Sequence, residues 1–325
     1  MNKQELFEKI LSAYYDARKN KRKSHDAIFF EMNYEKECMR LCEELMDRTY
    51  RISPSSCFIV NRPVKREIFA GAFRDRVIHH FLFNAVNPWC ETMFIRDTYS
   101  CRKGKGTSYA VSRAIHFLRS VSKNYSSDAW VIRLDIAGYF MSIRKDILFS
   151  IFVDLLERHR NAMLYDFDLL FWLGQKIIDN NPIFSAKVKG KKEDWVGLPR
   201  NKSLYWAEKG CGLPIGNLTS QLFANVYLSD FDYYVRSIVS RLGGCYGRYV
   251  DDILIFIPKN KNIRTVVQLL EQHLFKKRRL YIHPKKIFTQ PYKNGFSFVG
   301  RYILPYRIYI KRKTKQNMKK ILLRR

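Results

Sequence analysis

The chain has 325 residues, of which 46% are apolar and 15% aromatic, so it can bury a sizeable core in about two or three packed lobes. Lys and Arg number 59 against 30 Asp and Glu, a formal net charge of +29. An excess of this size repels itself unless a polyanion neutralises it, which favours RNA or DNA as the partner over a solvated surface or an anionic membrane. No stretch approaches the roughly 18 consecutive apolar residues of a membrane-spanning helix.

The seven cysteines are an odd number, which fits reduced thiols better than a disulfide framework. Cys38 and Cys42 lie in a segment with helical periodicity, and we expect them on the buried face of a helix rather than at a metal site. The first residues lack the apolar core of a signal peptide. The sequence therefore favours a cytoplasmic location.

Residues 1–50 have apolar side chains at helical spacing, which predicts a helical lead-in. After it, strand-like and helix-like patterns alternate. The predicted strands are Cys57–Val60 and Asp128–Leu134, and the predicted helices are Arg76–Val86 and Ile147–Leu156. The second of these strands ends on a carboxylate, Asp135.

The second half of the chain contains a segment rich in Pro, Gly and Lys, and a pattern typical of a β-hairpin. Residues 165–209 predict a hairpin or loop beside an aromatic helix at Phe167–Leu173. In GRYVDDILIFI, two apolar runs flank a polar pair, which predicts a hairpin with Asp251 and Asp252 at its tip. The last residues, KRKTKQNMKKILLRR, form a basic tail that is long enough for one helix.

Three aspartates thus stand at the ends of apolar runs. Carboxylate oxygens are the ligands that Mg²⁺ prefers, and the ion takes one or two of them together with water and substrate phosphates. Three aspartates on adjacent strand ends would suffice for such a site. An Asp-Asp pair alone is also typical of a solvated turn, so the neighbouring sequence has to decide between the two interpretations.

The neighbouring sequence resembles the reverse transcriptases. VIRLDIAGYF, around Asp135, resembles the first palm motif of that family, and GRYVDDILIF resembles its YxDD hairpin. The segment GCGLPIGNLTSQLFANVYLSDFD between them resembles the motif that supports the template and the incoming base. PVKREIFAGAFRDRVIHHFLFNAV and DTYSCRKGKGTSYAV are similar to the fingers motifs, LYIHPKK to the palm motif after the hairpin, and NGFSFVGR to the primer grip.

This resemblance, which covers about Ile52 to Arg301, implies an α+β right-hand polymerase fold with fingers, a palm built on an antiparallel sheet and a reduced helical thumb. The implied domains are a helical N-terminal extension at 1–50, fingers at 51–127, a palm at 128–300 with a fingers-type insertion at about 160–210, and a short basic thumb or tail at 301–325.

The resemblance also implies two-metal nucleotidyl transfer. The catalytic residues would be Asp135, Asp251 and Asp252, and the metal site would use these three with Ile136. The ions would be two Mg²⁺, with Mn²⁺ able to substitute. The implied partners are template RNA, the cDNA or primer strand and deoxynucleoside triphosphates.

Further contacts follow from the same motifs. Nucleotide-binding residues would be Lys65, Arg66 and Arg74 on the triphosphate, Phe140 as a steric gate against a 2′ hydroxyl, and also Ile215, Gly216, Gln221 and Lys286. Nucleic-acid contacts would be Arg102, Lys103, Lys105, Tyr249, Phe298 and Gly300. The structural alternatives are general backbone contacts for the first three cations, a core aromatic for Phe140 and a solvated loop around Lys103.

The stretch Ile215 to Gln221 has an I-G-x-x-x-S-Q form, whereas group II intron and retron enzymes resemble one another around Q-G-x-x-x-S-P. This form resembles the reverse transcriptases of diversity-generating retroelements, and the short chain agrees with that subtype. The resemblance implies error-prone copying at adenines of a template-repeat RNA, a bacterial or phage origin, and a small basic accessory protein that forms a pentamer. The alternatives are a retron-like or phage-defence reverse transcriptase, and a nonenzymatic RNA-binding protein with a polymerase fold.

Overall fold

The computed structural model describes residues 1–19, 24–62, 64–311, 315 and 316. Its helices are α1 (Lys3–Arg18), α2 (His25–Met32), α3 (Tyr34–Met46), α4 (Phe73–Met93), α5 (Thr107–Val121), α6 (Tyr139–Ser142), α7 (Lys145–Arg158), α8 (Phe167–Asp179), α9 (Leu218–Tyr227), α10 (Ser229–Arg241) and α11 (Ile263–Arg278). Its strands are β1 (Ser56–Val60), β2 (Arg66–Ala70), β3 (Ala129–Asp135), β4 (Lys187–Val188), β5 (Cys245–Tyr249), β6 (Asp252–Pro258), β7 (Phe288–Pro291), β8 (Phe296–Phe298), β9 (Arg301–Leu304) and β10 (Arg307–Ile310). Within these ranges, none of the helices combines the length and apolarity that a bilayer crossing requires.

The N-terminal segment is helical, as its periodicity predicted. α1 begins with a capping box, in which the Asn2 side chain accepts from the Glu5 amide and the Glu5 carboxylate accepts from the Asn2 amide. α3 buries Cys38 and Cys42 on one face, and both thiols are free. The prediction that these cysteines pack on a buried helix face is confirmed.

The other predicted elements also form. The two predicted strands are β1 and β3, the two predicted helices lie within α4 and α7, and the predicted hairpin is formed by β5 and β6. Of the hairpin and the loop predicted for the lysine-rich segment, residues 180–209 form the loop. It contains four short 3₁₀ turns, and its one short strand, β4, pairs in parallel with β1. Its lysine-rich sequence lacks the alternating apolar residues that two paired strands require.

The chain divides into two compact units. The first comprises Met1–Met93 and Phe140–Tyr227, and the second comprises Phe94–Tyr139 and Leu228–Arg325. In the first unit, helices α1, α3 and α4 pack together, and the three-stranded sheet has the order β2-β1-β4. The domain boundaries predicted from the sequence remain a prediction.

The second unit is built on a four-stranded antiparallel sheet with the order β5-β6-β3-β7. The apolar face of α5 packs on this sheet, with Ala114 and Leu118 in the same buried cluster as Leu254 and Phe256. A second antiparallel sheet has the order β10-β9-β8. The chain is therefore an α+β protein whose second unit is built on an antiparallel sheet, as the motifs implied.

Residues 301–310, which the resemblance placed in a basic thumb or tail, form strands β9 and β10. They continue a meander whose first turn has φ of 38° at Val299 and 84° at Gly300, the two positive values that a tight hairpin needs. β9 pairs with β8 on one side and with β10 on the other, so this part of the segment is extended rather than helical. The helix predicted for the tail falls mainly on residues 312–314 and 317–325, which lie outside the described residues.

Candidate active site

Strand pairing in the second unit brings two of the predicted aspartates together. Asp135 lies directly opposite Asp252 in the antiparallel β3–β6 ladder. Side chains of directly opposed residues lie on one face of a sheet, with Cβ atoms about 4.5–5.5 Å apart. β3 ends at Asp135 and β6 begins at Asp252. Apart from Arg133, the neighbouring strand residues, 129–134 and 253–257, are apolar. The two carboxylates therefore fall at the same end of the sheet.

Asp251 lies in the turn that joins β5 to β6. Tyr249 pairs with Asp252 across this hairpin, so Val250 and Asp251 form its tip. Asp251 lies at the tip as predicted, whereas Asp252, predicted beside it, is the first residue of β6. Val250 has φ of 56°, a left-handed conformation that is unfavourable for a β-branched residue. The chain reverses within two residues because Val250 adopts this conformation, and the reversal sets the three aspartates at one end of the sheet.

Two cationic side chains accompany the carboxylates. Lys286 Nζ donates to Asp135 Oδ1 at 2.6 Å, and Arg133 Nη2 lies 3.9 Å from Asp252 Oδ1. The turn that carries Lys286 is fixed to the end of β3, because the His283 amide donates to the Asp135 carbonyl at 2.8 Å. Lys286, predicted as nucleotide-binding, thus contacts a predicted catalytic carboxylate directly.

The electrostatics of the site favour a bound cation. Burial, together with the charges of Asp252 and Asp135, raises the pKa of Asp251 to about 6. The pKa of Asp252 is also raised, chiefly by burial. Half-buried carboxylates that repel one another gain free energy when a cation binds between them, because the cation removes the repulsion.

Asp251→Asn is expected to stabilise the metal-free protein above about pH 6. The pKa of Asp251 is about 6 in the folded state and about 3.9 in an unfolded chain. Above pH 6 the folded state holds a charge that it disfavours, at a cost on the order of 1–3 kcal/mol. The stabilising effect of asparagine should shrink as the pH falls from about 6 towards 4, where protonation of the folded wild type removes the same cost. Thermal denaturation in EDTA at about pH 5 and about pH 7.5 measures the difference.

Asp128→Asn is the matched control for this prediction, because the pKa of Asp128 is shifted in the opposite direction. Hydrogen bonds from Lys293 and Lys259 lower the pKa of Asp128, so its charge favours the folded state at neutral pH. Removing this charge should leave the melting temperature unchanged or lower it. A melting temperature of Asp251→Asn below that of the wild type at the higher pH would contradict the raised pKa.

The donor atoms suit a hard divalent cation. Asp135, Asp251 and Asp252 offer only oxygen, which Mg²⁺ prefers. The His283 amide donates to the Asp135 carbonyl, and the Ala137 amide donates to the Tyr281 carbonyl. Because peptide directions alternate along an extended chain, the Ile136 carbonyl points away from residues 281–283. Among residues 1–19, 24–62, 64–311, 315 and 316, no three His, Cys, Asp or Glu side chains enclose a cation by themselves. Water and substrate phosphates would complete the shell, as is usual for Mg²⁺.

In the first unit, Phe140 and Ile215 share an apolar cluster. Both are half-buried and pack against Cys57, Phe69, Met141 and Leu204. The Phe69 amide donates to the Ile215 carbonyl at 2.8 Å. Gly216 follows with φ of 136°, and a Cβ there would lie 2.6 Å from the Phe69 carbonyl oxygen. Only glycine allows this approach to β2, which explains the residue type at this position.

The three cations predicted for the triphosphate have different surroundings in the first unit. Lys65 Nζ donates to the Val196 carbonyl at 2.6 Å. Arg74 forms an ion pair with Glu44. Arg66 is exposed at the start of β2. Arg66 is therefore open to solvent, whereas Lys65 and Arg74 would have to leave these partners to reach a triphosphate.

The loop predicted to contact template phosphates belongs to the second unit. Its glycines, Gly104 and Gly106, have positive φ values of 72° and 143°. Arg102 and Lys105 donate to backbone carbonyls of the same unit, whereas Lys103 is exposed. Arg102 thus braces the loop from within, and Lys103 presents its charge to solvent.

The remaining predicted contacts are dispersed. Phe298 is 1% exposed and lies in the core cluster that packs on α5, and Tyr249 packs against the same cluster. The Phe298 ring is therefore part of the core, and Gly300 lies in the turn between β8 and β9. Gln221 is exposed on α9, in the first unit.

Two charged residues near the aspartates carry no prediction from the sequence. Arg133 lies two residues before Asp135 on β3, and Arg248 lies just before the turn, where it forms a fully buried ion pair with Asp232. The sequence signal that could have identified them is a charged residue inside a predicted strand, because a charge buried in a strand requires a partner.

Residues 66–303 match the reverse transcriptase (RNA-dependent DNA polymerase) family. One relative is the uncharacterized 91 kDa protein in cob intron of Schizosaccharomyces pombe. It is 21% identical over 203 residues, which cover 62% of this chain and 21% of that protein. The chain thus spans about a fifth of this curated relative.

Telomerase structures have a similar fold. The structure of apo telomerase from Candida tropicalis, truncated from its C-terminal domain, gives a TM-score of 0.54 at 12% identity, over 79% of this chain and 55% of that one. Telomerase from Candida tropicalis in complex with the TWJ fragment of telomeric RNA gives 0.52 at 10% identity, over 85% of this chain and 48% of that one. This likeness, which spans about half of each telomerase chain, shows a right-hand polymerase fold.

The family match contains all three aspartates and the β3–β6 ladder that joins two of them. The chain therefore belongs to the reverse transcriptase family of RNA-dependent DNA polymerases.

Proposed function

We propose that this chain is the RNA-directed DNA polymerase of a diversity-generating retroelement, which copies a template-repeat RNA into cDNA with errors directed to adenines. The observation that supports polymerase activity most strongly is the pairing of Asp135 with Asp252 beside the Asp251 turn. The support for the subtype is the sequence Ile215 to Gln221. The cDNA would then rewrite a variable gene by mutagenic retrohoming.

Each residue of the aspartate site has a defined task in nucleotidyl transfer. When bound, two divalent cations, Mg²⁺ or Mn²⁺, would activate the primer 3′ hydroxyl and neutralise the leaving pyrophosphate. Asp135, Asp251 and Asp252 would hold them through carboxylate oxygens, with the Ile136 carbonyl as a further oxygen donor. Lys286, which neutralises Asp135 in the free protein, is an ammonium group able to donate a proton to pyrophosphate.

The proposed partners follow from charge and from the subtype. A net charge of +29 suits template RNA and its cDNA, because each neutralised phosphate releases a counterion. Phe140, half-buried in its cluster, would act as the gate that admits deoxynucleotides. The small basic accessory protein that forms a pentamer is the further partner that this subtype implies.

Primer extension on one defined RNA, followed by sequencing of the cDNA, tests the proposal. We expect Mg²⁺-dependent DNA synthesis with more misincorporation opposite template adenine than opposite the other bases. Synthesis with equal error rates at all four bases would favour a retron-like or phage-defence reverse transcriptase. RNA binding without any synthesis would favour the nonenzymatic alternative.

Ile215→Gln is expected to lower misincorporation opposite template adenine more than opposite other bases. Ile215 offers only dispersion contacts, whereas glutamine at this position would add a hydrogen bond near the nascent base pair. One such bond is worth roughly 0.5–1.5 kcal/mol, and each 1.4 kcal/mol changes a rate ratio about tenfold, so the error rate should fall about two- to tenfold. Sequencing of cDNA made on one RNA template measures this ratio.

Ile215→Met is the matched control, because it keeps an apolar side chain of similar volume. The backbone bond between Ile215 and Phe69 does not involve the side chain, so both variants should keep the loop in place. If the glutamine variant polymerises normally with an unchanged adenine error rate, Ile215 is not the source of the errors.

A further inference from the structure

The turn that carries the aspartates contains a backbone conformation that needs support. Val250, at the hairpin tip, has φ of 56°, and β-branched residues keep such values only where the surrounding structure imposes them. A change at this residue would rotate the peptide that leads into Asp251 and Asp252. The positions of both carboxylates therefore depend on whatever holds Val250.

Arg248 makes the contact that holds this residue. Its Nη1 donates to the Val250 carbonyl at 2.8 Å. Its Nε and Nη2 donate to Asp232 Oδ1 and Oδ2 at 2.7 and 2.6 Å. Both side chains are fully buried. Because all three guanidinium nitrogens are engaged, a rotation that releases Val250 also breaks the ion pair.

Asp232 and the backbone of Arg248 are also held by hydrogen bonds. The Asp232 carboxylate, on α10, accepts from Thr98 Oγ1 at 3.1 Å and from the Tyr246 hydroxyl. The backbone of residues 97–99 bonds both the amide and the carbonyl of Arg248, at 2.9 and 3.0 Å. The guanidinium is thus fixed through its side chain and its main chain, which allows it to set the position of the turn.

We propose that Arg248 is a positioning residue for the polymerase reaction, acting through the Val250 carbonyl to hold Asp251 and Asp252 in place. This inference rests on the proposed function. A buried ion pair contributes little net stability, and apolar residues of similar volume often serve as well. The hydrogen bond from Arg248 to the Val250 carbonyl holds the turn, which apolar residues at these positions could not do.

Arg248→Lys tests the role most directly. Lysine keeps the charge beside Asp232, but one ammonium group cannot reproduce the planar fork that spans both carboxylate oxygens and the Val250 carbonyl. We expect kcat to fall about 10²-fold through misplacement of the aspartates, while the KM for nucleotide and the affinity for RNA stay near their wild-type values. Mn²⁺ binding, followed by electron paramagnetic resonance, should weaken by about tenfold or more.

Arg113→Lys is the matched control. Arg113 forms the same two-point ion pair, with Asp97 at 2.7 and 3.2 Å, and in the described part of the chain it bonds no residue of the turn at 249–252. This variant should lose stability but keep kcat and Mn²⁺ affinity. If both lysine variants lower kcat equally, general destabilisation explains the loss and the positioning role is overturned.

A double-mutant cycle with Val250→Gly separates positioning from structure. Glycine adopts positive φ without penalty, so a turn that contains it depends less on Arg248. In that background Arg248→Lys should lower kcat by less than about tenfold, a non-additive result. Additive effects would show that Arg248 does not act through Val250 and would overturn the inference.

A neutral pair, Asp232→Asn with Arg248→Gln, covers the case in which Arg248→Lys does not fold. It leaves no buried charge without a partner, and it should melt cooperatively while showing the same losses of kcat and Mn²⁺ affinity. If the folded double variant keeps the wild-type kcat and Mn²⁺ affinity, the positioning role is overturned. If the wild-type chain extends no primer, the proposed function fails by itself, and the Mn²⁺ titrations still decide the role of Arg248.

Discussion

Asp251→Asn combined with Asp252→Asn is expected to reduce Mg²⁺-dependent primer extension by about 10³-fold or more. Metal ions stabilise the transferring phosphoryl group by several kcal/mol, and amide oxygens do not hold them as carboxylates do. Asparagine has nearly the same shape as aspartate, so the β5–β6 hairpin should persist. RNA affinity should stay nearly intact, because contacts from Lys and Arg to phosphates dominate it. Single-turnover extension and RNA filter binding measure the two quantities.

The same double substitution separates loss of chemistry from loss of fold. Because the pKa values of Asp251 and Asp252 are both raised in the folded state, removing their charges should raise the melting temperature of the metal-free protein at neutral pH. An inactive variant with higher stability cannot be explained by unfolding. Asp128→Asn, at the exposed start of the same strand region, should extend primers normally. Extension by the double variant at the wild-type rate would remove the catalytic assignment.

The aspartate hairpin could be predicted because its determinants are local. In GRYVDDILIFI the apolar run fixes which strand is buried, and the polar pair has to fall where that strand meets the turn. The opposition of Asp135 to Asp252 is not local, because it depends on β6 lying next to β3 in the sheet. That neighbour relation came from the family resemblance, not from spacing, since no periodicity specifies which strands pair.

Side-chain partners were the part that the sequence did not predict. Arg102 belongs to a basic, glycine-rich loop and was expected on template phosphates, yet its guanidinium bonds backbone carbonyls of its own unit. Phe298 was expected on nucleic acid, yet its ring is core. Arg248 and Asp232 had no predicted role although they form a fully buried pair. The partners of Phe298 and Arg248 lie on other elements, so only the tertiary fold selects them. The carbonyls that Arg102 bonds lie four and seven residues before it, and only the folded path of this loop brings them to the guanidinium.

RNA affinity is expected to fall about 10³- to 10⁵-fold between roughly 50 and 200 mM salt, the loss typical of six to ten phosphate contacts. The net charge of +29 is the first reason. The second is a run of exposed cations that begins at Lys187 in β4 and ends before α9. In this run the Arg200 guanidinium carbon lies 4.4 Å from the ring centroid of exposed Trp206. Cations beside an exposed aromatic ring suit single-stranded RNA, because phosphates pair with the charges and bases stack on the ring.

Substituting Lys187, Lys189 and Lys192 together by glutamine tests whether this run contributes to RNA binding. All three are exposed, and each phosphate contact contributes about 0.7 to the slope of log K against log salt for a single strand, so the slope should become shallower by about 2. Lys259→Gln is the control, because Lys259 already has a partner in Asp128 at 3.2 Å. A flat salt titration of the wild type would contradict the electrostatic origin of binding. An unchanged slope in the triple variant would place the RNA on other cations of the chain.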